Sequence, residues 1–340
     1  MDRVEFTGAP GSPYTRKLIA TLRYRHIPYK AYWGQPSVPA GYPSPKVRLL
    51  PTVFFPDGEN GELVAKTDST PIIRRLEAEH PGRSVLPSDP VLAFANELIE
   101  DYADEWLTKA MFHYRWAYDA DIQNAGPLLV YWNMNTAPED MARQFIGEFT
   151  RRQVDRLYVV GSNETTASLI EESYARLISI LDALIARKGF VLGGRPSSAD
   201  FALYGQLTQL GIGDPTPAAL TNSISPRVRA WLDLVDDLSG LDPDEGDWFT
   251  LPEAMEALGP LLSEIGRTYT PVMLANAKAV MSGEDQFATV VDGKTWTQPT
   301  FKYQVKCLGW LREHYSALGE TESAAAATLI ANTGCEALFE

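Results

Sequence analysis

Ser12, Leu50-Pro51 and Asp68-Ser69 are the positions of this 340-residue chain whose residue types and surroundings could do chemistry together. Ser12 lies in Gly11-Ser12-Pro13-Tyr14-Thr15-Arg16-Lys17, between the extended-looking Val4, Glu5 and Phe6 and a run with Leu18, Ile19 and Leu22 at helical spacing. That context puts Ser12 at a helix cap and Pro13 at the first helical position, where a missing N–H is harmless. Unpaired N–H donors and the positive end of the dipole favour an anion beside such a terminus, by up to ~2 kcal/mol in partly buried geometry. A thiolate is such an anion. Leu50-Pro51-Thr52-Val53 opens a β-branched and aromatic segment; an X-Pro bond becomes cis for only ~0.5–1 kcal/mol. A cis bond here would leave the Leu50 N–H and C=O free to pair with a peptide lying alongside as an added strand. Asp68-Ser69 heads the next helical run, where a carboxylate can take an ammonium while a hydroxyl and helix amides take a carboxylate. Taken singly, Ser12 and the Asp68-Ser69 pair are ordinary caps and Pro51 an edge-strand proline.

The elements that must carry these residues follow from periodicity and breakers. After the first strand and helix, a second strand follows His26-Ile27-Pro28-Tyr29, and a proline-rich loop runs from Pro36 to Pro45. Leu49 to Phe55 and Glu62 to Ala65 flank the turn Pro56-Asp57-Gly58 and read as a hairpin. A helix opened by Asp68-Ser69-Thr70-Pro71 buries Ile72, Ile73 and Leu76. This β-α-β, β-β-α order fills the first 80 or so residues, and Pro81, Pro87 and Pro90 mark a linker. Long amphipathic helices come next, one from about Leu92 to Asp121 and one from Ala167 to Arg187. The acidic breaker Asp242-Pro243-Asp244-Glu245-Gly246-Asp247 lacks the twelve-residue calcium loop and reads as a solvated loop. Helical patterns resume over 253–282, Asp292-Gly293 between β-prone runs predicts a tight hairpin over Phe287 to Trp296, and a helix near 302–318 carries Cys307 before an Ala-rich tail. No internal repeat is present.

In this order and spacing the motifs resemble the cytosolic glutathione S-transferase superfamily. Ser12-Pro13-Tyr14-Thr15-Arg16-Lys17 is similar to the serine-type motif of its tau-like classes, Leu50-Pro51-Thr52 to its cis-proline motif, and Asp68-Ser69 to its acidic-Ser pair. Gly189 to Phe201 resembles the signature of its helical domain, with Ser197 capping a helix and Asp200 reaching back, a reciprocal box worth ~1 kcal/mol. The resemblance covers residues 1 to about 245. It implies a thioredoxin-like α/β N-terminal domain over 1–85, an all-α substrate-pocket domain over 91–250, and, outside the family pattern, an extra C-terminal helical and hairpin extension over 251–340.

The function implied is a transferase that uses glutathione as co-substrate. A free thiol with a pKa near ~8.5 is only a few per cent ionised at neutral pH, so Ser12 is expected to be the catalytic residue, donating a hydrogen bond to the sulfur. Leu50, Pro51, Asp68 and Ser69, with Lys46 or Arg48 on the glycyl carboxylate, are expected to bind glutathione. The second substrate, a small hydrophobic electrophile, is expected against Tyr14, Asp104, Thr108, His113 and Arg115. Trp106, Lys109, His113 and Trp116 share one helix face, and Glu105 with Lys109 reads as an ion pair, whereas Arg16 and Lys17 read as solvated charges. Two departures stand out: Asp68 replaces the usual Glu, one methylene shorter, and the extension has no counterpart. A non-catalytic binding scaffold, or a glutathione-dependent dehalogenase, ether-cleaving enzyme or isomerase, are the alternatives.

Composition narrows the partners. Thirty Lys and Arg against forty-four Asp and Glu give a net charge of -14, which opposes counterion-release binding to nucleic acid and attraction to anionic membranes. The start MDRVEFTGAP lacks a secretory pattern. Cys307 and Cys335 make no disulfide framework, and His26, His80, His113 and His314 have no metal-ligand spacing. A cytoplasmic homodimer without a metal is the expectation.

Overall fold

A computed structural model describes residues 3–34 and 37–340; Pro36, at the head of the proline-rich loop, and the first two residues lie outside the described residues. β1 (Val4–Gly8), α1 (Pro13–Tyr24) and β2 (Tyr29–Trp33) form a β-α-β unit in which β2 runs parallel to β1. β3 (Thr52–Phe55) pairs antiparallel with β1, and β4 (Val64–Thr67) with β3, giving the order β2-β1-β3-β4. Val4, Phe6, Val53 and Phe55 are fully buried. α2 (Ser69–Glu79) buries Ile72, Ile73 and Leu76, the expected face. Glu5 anchors the long β2–β3 loop by accepting from the hydroxyls of Tyr32 (2.6 Å) and Tyr42 (2.7 Å).

The second half is helical. α3 (Pro90–Tyr102) is capped by Asp89, which accepts from the amides of Val91 and Leu92. It runs through a π-helical turn, Ala103–Leu107, into α4 (Thr108–Ala117). The sequence pattern suggested one helix from Leu92 to Asp121; instead the chain turns at Tyr118 (φ -114°, ψ 132°) and restarts as α5 (Asp119–Met134). α6 (Glu139–Val154), α7 (Ala167–Lys188), α8 (Ser198–Thr208), α9 (Pro215–Ile224) and α10 (Pro226–Val235) complete the layer, with a second π-helical turn at Gln209–Gly213. α8 lies against α1 so closely that a Cβ at Gly205 would sit 2.4 Å from the Pro13 carbonyl.

Residues 251–340 are part of the same body. α11 (Leu251–Ala257) and α12 (Gly259–Met281) lead to the hairpin β5 (Gln286–Val291) and β6 (Lys294–Pro299), whose turn residues Asp292 and Gly293 take φ 47° and 76° as an Asp-Gly hairpin requires. α13 (Lys302–Ser316) follows, and the Ala-rich tail is a helix, α14 (Glu320–Ile330), not an irregular end. α13 and α14 both pack on α3. Trp296 of β6 packs at a tilt 5.2 Å from Trp106 in the π-helical turn, while Tyr315 and Phe339 enclose Phe94 of α3. One hydrophobic core therefore runs from Val4 to Leu338. No helix among the described residues is long and apolar enough to cross a membrane.

The reciprocal box on α8 forms as the sequence indicates, and it does more than cap. Asp200 is fully buried; it accepts from the Ser197 amide (2.9 Å), the Ser197 hydroxyl (2.7 Å) and the Val191 amide (2.9 Å). Asp200→Ala strands those donors, so we expect a loss of roughly 3 kcal/mol, measured as a lower denaturant midpoint with an unchanged slope.

Candidate functional site

Ser12 occupies the cap of α1 with extended backbone (φ -93°, ψ 118°) and Pro13 follows as the first helical residue. Its oxygen accepts from the Thr15 amide (3.2 Å), which uses a lone pair and leaves the hydroxyl proton free. That proton is directed at the Leu50 carbonyl, 3.3 Å away. The Leu50-Pro51 bond is cis, and among the described residues the Leu50 amide has no hydrogen-bond partner. A hydroxyl at a helix terminus thus stands beside an unpaired strand edge.

Asp68 and Ser69 approach from the other side. Asp68 has φ 84° and ψ 109°, a positive-φ backbone that residues other than glycine seldom adopt. It makes no capping bond to α2. Its carboxylate accepts instead from the hydroxyl of Tyr303, at 2.5 Å, in the first turn of α13. The ordinary-cap explanation for Asp68 therefore fails on geometry.

Between these elements lies a cavity of about 330 Å³, at the lower end of the range for small-molecule sites. Leu50, Asp68 and Ser69 line it, as do Tyr14, Asp104 and Thr108 from the expected second-substrate set. Ser12 stands behind Leu50 and is not itself in the wall. The opposite wall comes from the extension: Gln298, Pro299, Thr300, Phe301, Tyr303 and Gln304. Lys46 and Arg48 are exposed on the loop before Leu49 and lie outside the wall.

His113 and Arg115 correct the sequence-based expectation. The cavity meets only the first turn of α4, at Thr108 and Lys109. One turn further, His113 sits between the Ser162 hydroxyl (2.8 Å) and the Glu171 carboxylate (3.1 Å). Two turns beyond Thr108, Arg115 is buried in an ion pair with Asp214 (2.9 Å) and also donates to Gln209 (2.7 Å). Both are structural.

Lys17 is a second correction. It is fully buried, not solvated, and its ammonium is 2.6 Å from both Glu100 and Asp104. Burial pulls this ammonium down, but the two carboxylates outweigh it and hold the group up at about 12. Glu100 also receives Arg74 and the Ser198 hydroxyl (2.6 Å), and burial's upward push is overcome, leaving it well below the usual carboxylate range. Asp104 has only Lys17 against burial and the neighbouring acids, so it is pushed up to about 6.

Glu105, Gln298, Gln304 and Tyr303 were not among the site residues expected from sequence, whereas Lys109 lies on the helix face that the sequence offered to the pocket. Glu105 and Lys109 share a helical spacing of four, yet the π-helical turn separates them and they form no ion pair within 4 Å. The Lys109 ammonium donates to Gln298 (3.0 Å), which in turn donates to the Val159 carbonyl (2.9 Å). Burial raises Glu105 to about 7 and lowers Lys109 to about 8. The spacing of 105 and 109 marked the pair, but as an ion pair and not as cavity groups; nothing local marked Gln298, Tyr303 or Gln304, which come from nearly 200 residues further along.

The Glu105 shift has a thermodynamic consequence. The folded carboxyl binds its proton more tightly than the ordinary 4.5, so stability is fully present below about 4.5 and is lost as pH rises through about 7. Glu105→Gln removes that loss. Denaturant midpoints of variant and parent should coincide below about pH 4.5, separate as pH rises from there to about 7 and stay apart above it, the variant being more stable by roughly 3 kcal/mol.

Comparisons with known proteins add an independent line. Residues 6–84 match the glutathione S-transferase N-terminal domain family, and residues 150–234 match the glutathione S-transferase C-terminal domain family. No curated protein sequence matches. Among solved structures, a GST-like protein from Pseudomonas syringae is 19% identical, with 69% of this chain and 67% of that one covered at a TM-score of 0.41. A tau class glutathione S-transferase from mango, Mangifera indica, is 18% identical over 71% of this chain and 90% of its own, at 0.39. A glutathione transferase family member from Pseudomonas fluorescens, with bound glutathione, is 18% identical over 71% and 99%, at 0.35.

Proposed function

We propose that this chain, which belongs to the glutathione S-transferase superfamily, binds glutathione in the cavity between its sheet domain and its helical body and presents the thiolate to a small hydrophobic electrophile. The observation that carries this reading is the Ser12 hydroxyl: its lone pair is committed to the Thr15 amide while its proton rests on the Leu50 carbonyl at a long 3.3 Å. An arriving thiolate offers that proton a charged acceptor in place of a weak neutral one.

The magnitudes are adequate. Lowering a thiol pKa by ~2 units needs ~2.7 kcal/mol of differential stabilisation. A hydrogen bond to a charged group supplies ~1.5–3 kcal/mol, and the amino end of α1 adds ~0.3–2 kcal/mol. The thiol proton leaves to solvent; the S–C bond forms on the electrophile as its leaving group departs or its π bond opens. Ser12 is a donor in this scheme and not a nucleophile.

The rest of glutathione follows from the chemistry of the wall. Asp68 takes the γ-glutamyl ammonium, and the Ser69 hydroxyl with the first amides of α2 takes the γ-glutamyl carboxylate. The unpaired Leu50 amide pairs with the peptide as an added strand. Lys46 or Arg48, on the exposed loop, reaches the glycyl carboxylate. Leu49, Val159, Val160, Pro299 and Phe301 give the electrophile an apolar surface beside Tyr14, Asp104 and Thr108.

The decisive experiment pairs calorimetry with kinetics. Glutathione should bind the parent protein, and Ser12→Ala should raise the pKa of the bound thiol, read by ultraviolet thiolate absorbance, while slowing conjugation of a chlorinated dinitrobenzene by roughly ten- to hundredfold. Ser12→Thr keeps a hydroxyl and should restore most of the rate. Equal turnover in parent and Ser12→Ala would defeat the mechanism, and absence of glutathione binding to the parent would defeat the assignment.

A further inference from the structure

Among the polar groups that the extension beyond residue 250 brings to the cavity wall, the Tyr303 hydroxyl lands on the residue to which the glutathione reading assigns the ammonium. The Tyr303 hydroxyl donates to Asp68 at 2.5 Å, and among the described residues no other hydrogen bond reaches that carboxylate. We infer that Tyr303 is a positioning residue for the glutathione site: it holds the Asp68 carboxylate toward the γ-glutamyl ammonium, so that the site is completed only by the C-terminal extension. This inference rests on the glutathione assignment above and goes beyond it, naming a contributor from a segment outside the family-matched domains.

The placement of Tyr303 is built and not incidental. Asn276, fully buried on α12, clamps the backbone two residues earlier: its amide nitrogen donates to the Phe301 carbonyl (2.9 Å) and its oxygen accepts from the Phe301 amide (2.8 Å). The Tyr303 ring meets Trp310, two turns on, edge to face at 6.4 Å, and Phe301 at 5.9 Å. Burial and the neighbouring Cys307 and Asp68 push the phenol far above its ordinary range, so it remains a donor at every pH at which the protein works.

The need for such a donor follows from the length of the acid. An aspartate is one methylene shorter than the family's usual glutamate and here sits on a positive-φ backbone (φ 84°) with no bond to its own helix. Left alone, its χ1 would be free to swing. A single phenol donor uses one of about four lone-pair sites on the carboxylate, which fixes the rotamer and leaves the remaining sites open to an ammonium. Tyr303 thus serves by orienting Asp68 and is not expected to touch the sulfur.

Two properties separate this role from its rivals. A positioning role predicts that the benefit of the γ-glutamyl amine depends on Tyr303; a plug predicts that removing the hydroxyl frees Asp68 and tightens binding. The test is a cycle on the full-length protein: calorimetric affinities of glutathione and of an analogue lacking only the γ-glutamyl amine, for the parent, Tyr303→Phe, Asp68→Asn and the double variant. Parent protein should prefer glutathione over the analogue, and Tyr303→Phe should shrink that preference by roughly tenfold. In the Asp68→Asn background, Tyr303→Phe should change the preference by less than about twofold. Matching circular dichroism and matching denaturant midpoints establish that the variants fold. An unchanged preference in Tyr303→Phe, or tighter glutathione binding by it, overturns the inference while the parent's glutathione binding still stands. If the parent binds no glutathione, the functional assignment fails and takes this inference with it.

Discussion

Glu100 is the residue on which the geometry of the site turns. One carboxylate oxygen receives the Lys17 ammonium (2.6 Å) from α1, and the other receives the Arg74 guanidinium from α2 together with the Ser198 hydroxyl of α8. α1 begins at Ser12 and α2 begins at Asp68-Ser69, so the two helices whose amino ends flank the candidate site are both tied to one buried group on α3. Buried ion pairs of this kind add little net stability, because desolvation offsets the attraction, but breaking one by removing a partner costs about 3–5 kcal/mol. Their value here is positional: the relative placement of Ser12 and Asp68 is set by a charge centre that tolerates no rearrangement.

The same centre couples α1 and α2 to the wall that encloses their amino ends. Asp104, which shares Lys17, lies in the π-helical turn between α3 and α4. That turn also exposes the Asp104 carbonyl to the Tyr14 hydroxyl (2.9 Å) and presents Trp106 to Trp296 of the hairpin. A regular helix would have closed the Glu105–Lys109 pair on itself; the wider turn leaves both groups facing the cavity and lets Gln298 from β6 reach Lys109. Local irregularity in α3–α4 is what allows the last 90 or so residues to become part of the site.

The parts of this arrangement that were legible in the sequence are those specified within a few residues. Ser12-Pro13 signals its own cap, Ser197 and Asp200 their own box, and Asp292-Gly293 its own hairpin turn, because each depends on backbone chemistry over a span of two to four positions. What was not legible depends on partners far away. Lys17 reads as a solvated first-turn lysine until Glu100 and Asp104 close over it. His113 and Arg115 lie on plausible helix faces, but how far the cavity extends along α4 is decided by β6 and the β6–α13 junction, not by α4 itself. Tyr303 is one aromatic among many in the sequence, and only the Asn276 clamp on Phe301 brings it to Asp68.

The net charge of -14 is an obstacle to holding an anionic tripeptide only if that charge is present at the site. Around the cavity and the small acidic recess behind Tyr303 stand Asp68, Glu97, Glu100, Asp101, Asp104 and Glu105. Glu97 and Glu100 are neutralised by Arg74, and Lys17 is shared between Glu100 and Asp104. Burial holds the Asp101 carboxyl well above its ordinary range, and keeps Glu105 at about 7, so these acids carry little or only partial charge at neutral pH. Lys109, pulled down only to about 8, remains largely cationic there. Asp68 is left as the acid with no cationic partner, hydrogen-bonded by a neutral phenol alone. A half-buried carboxylate of that kind favours an incoming ammonium and, with its charged neighbours paired or protonated, does not extend its repulsion to the carboxylates at the other end of the same ligand.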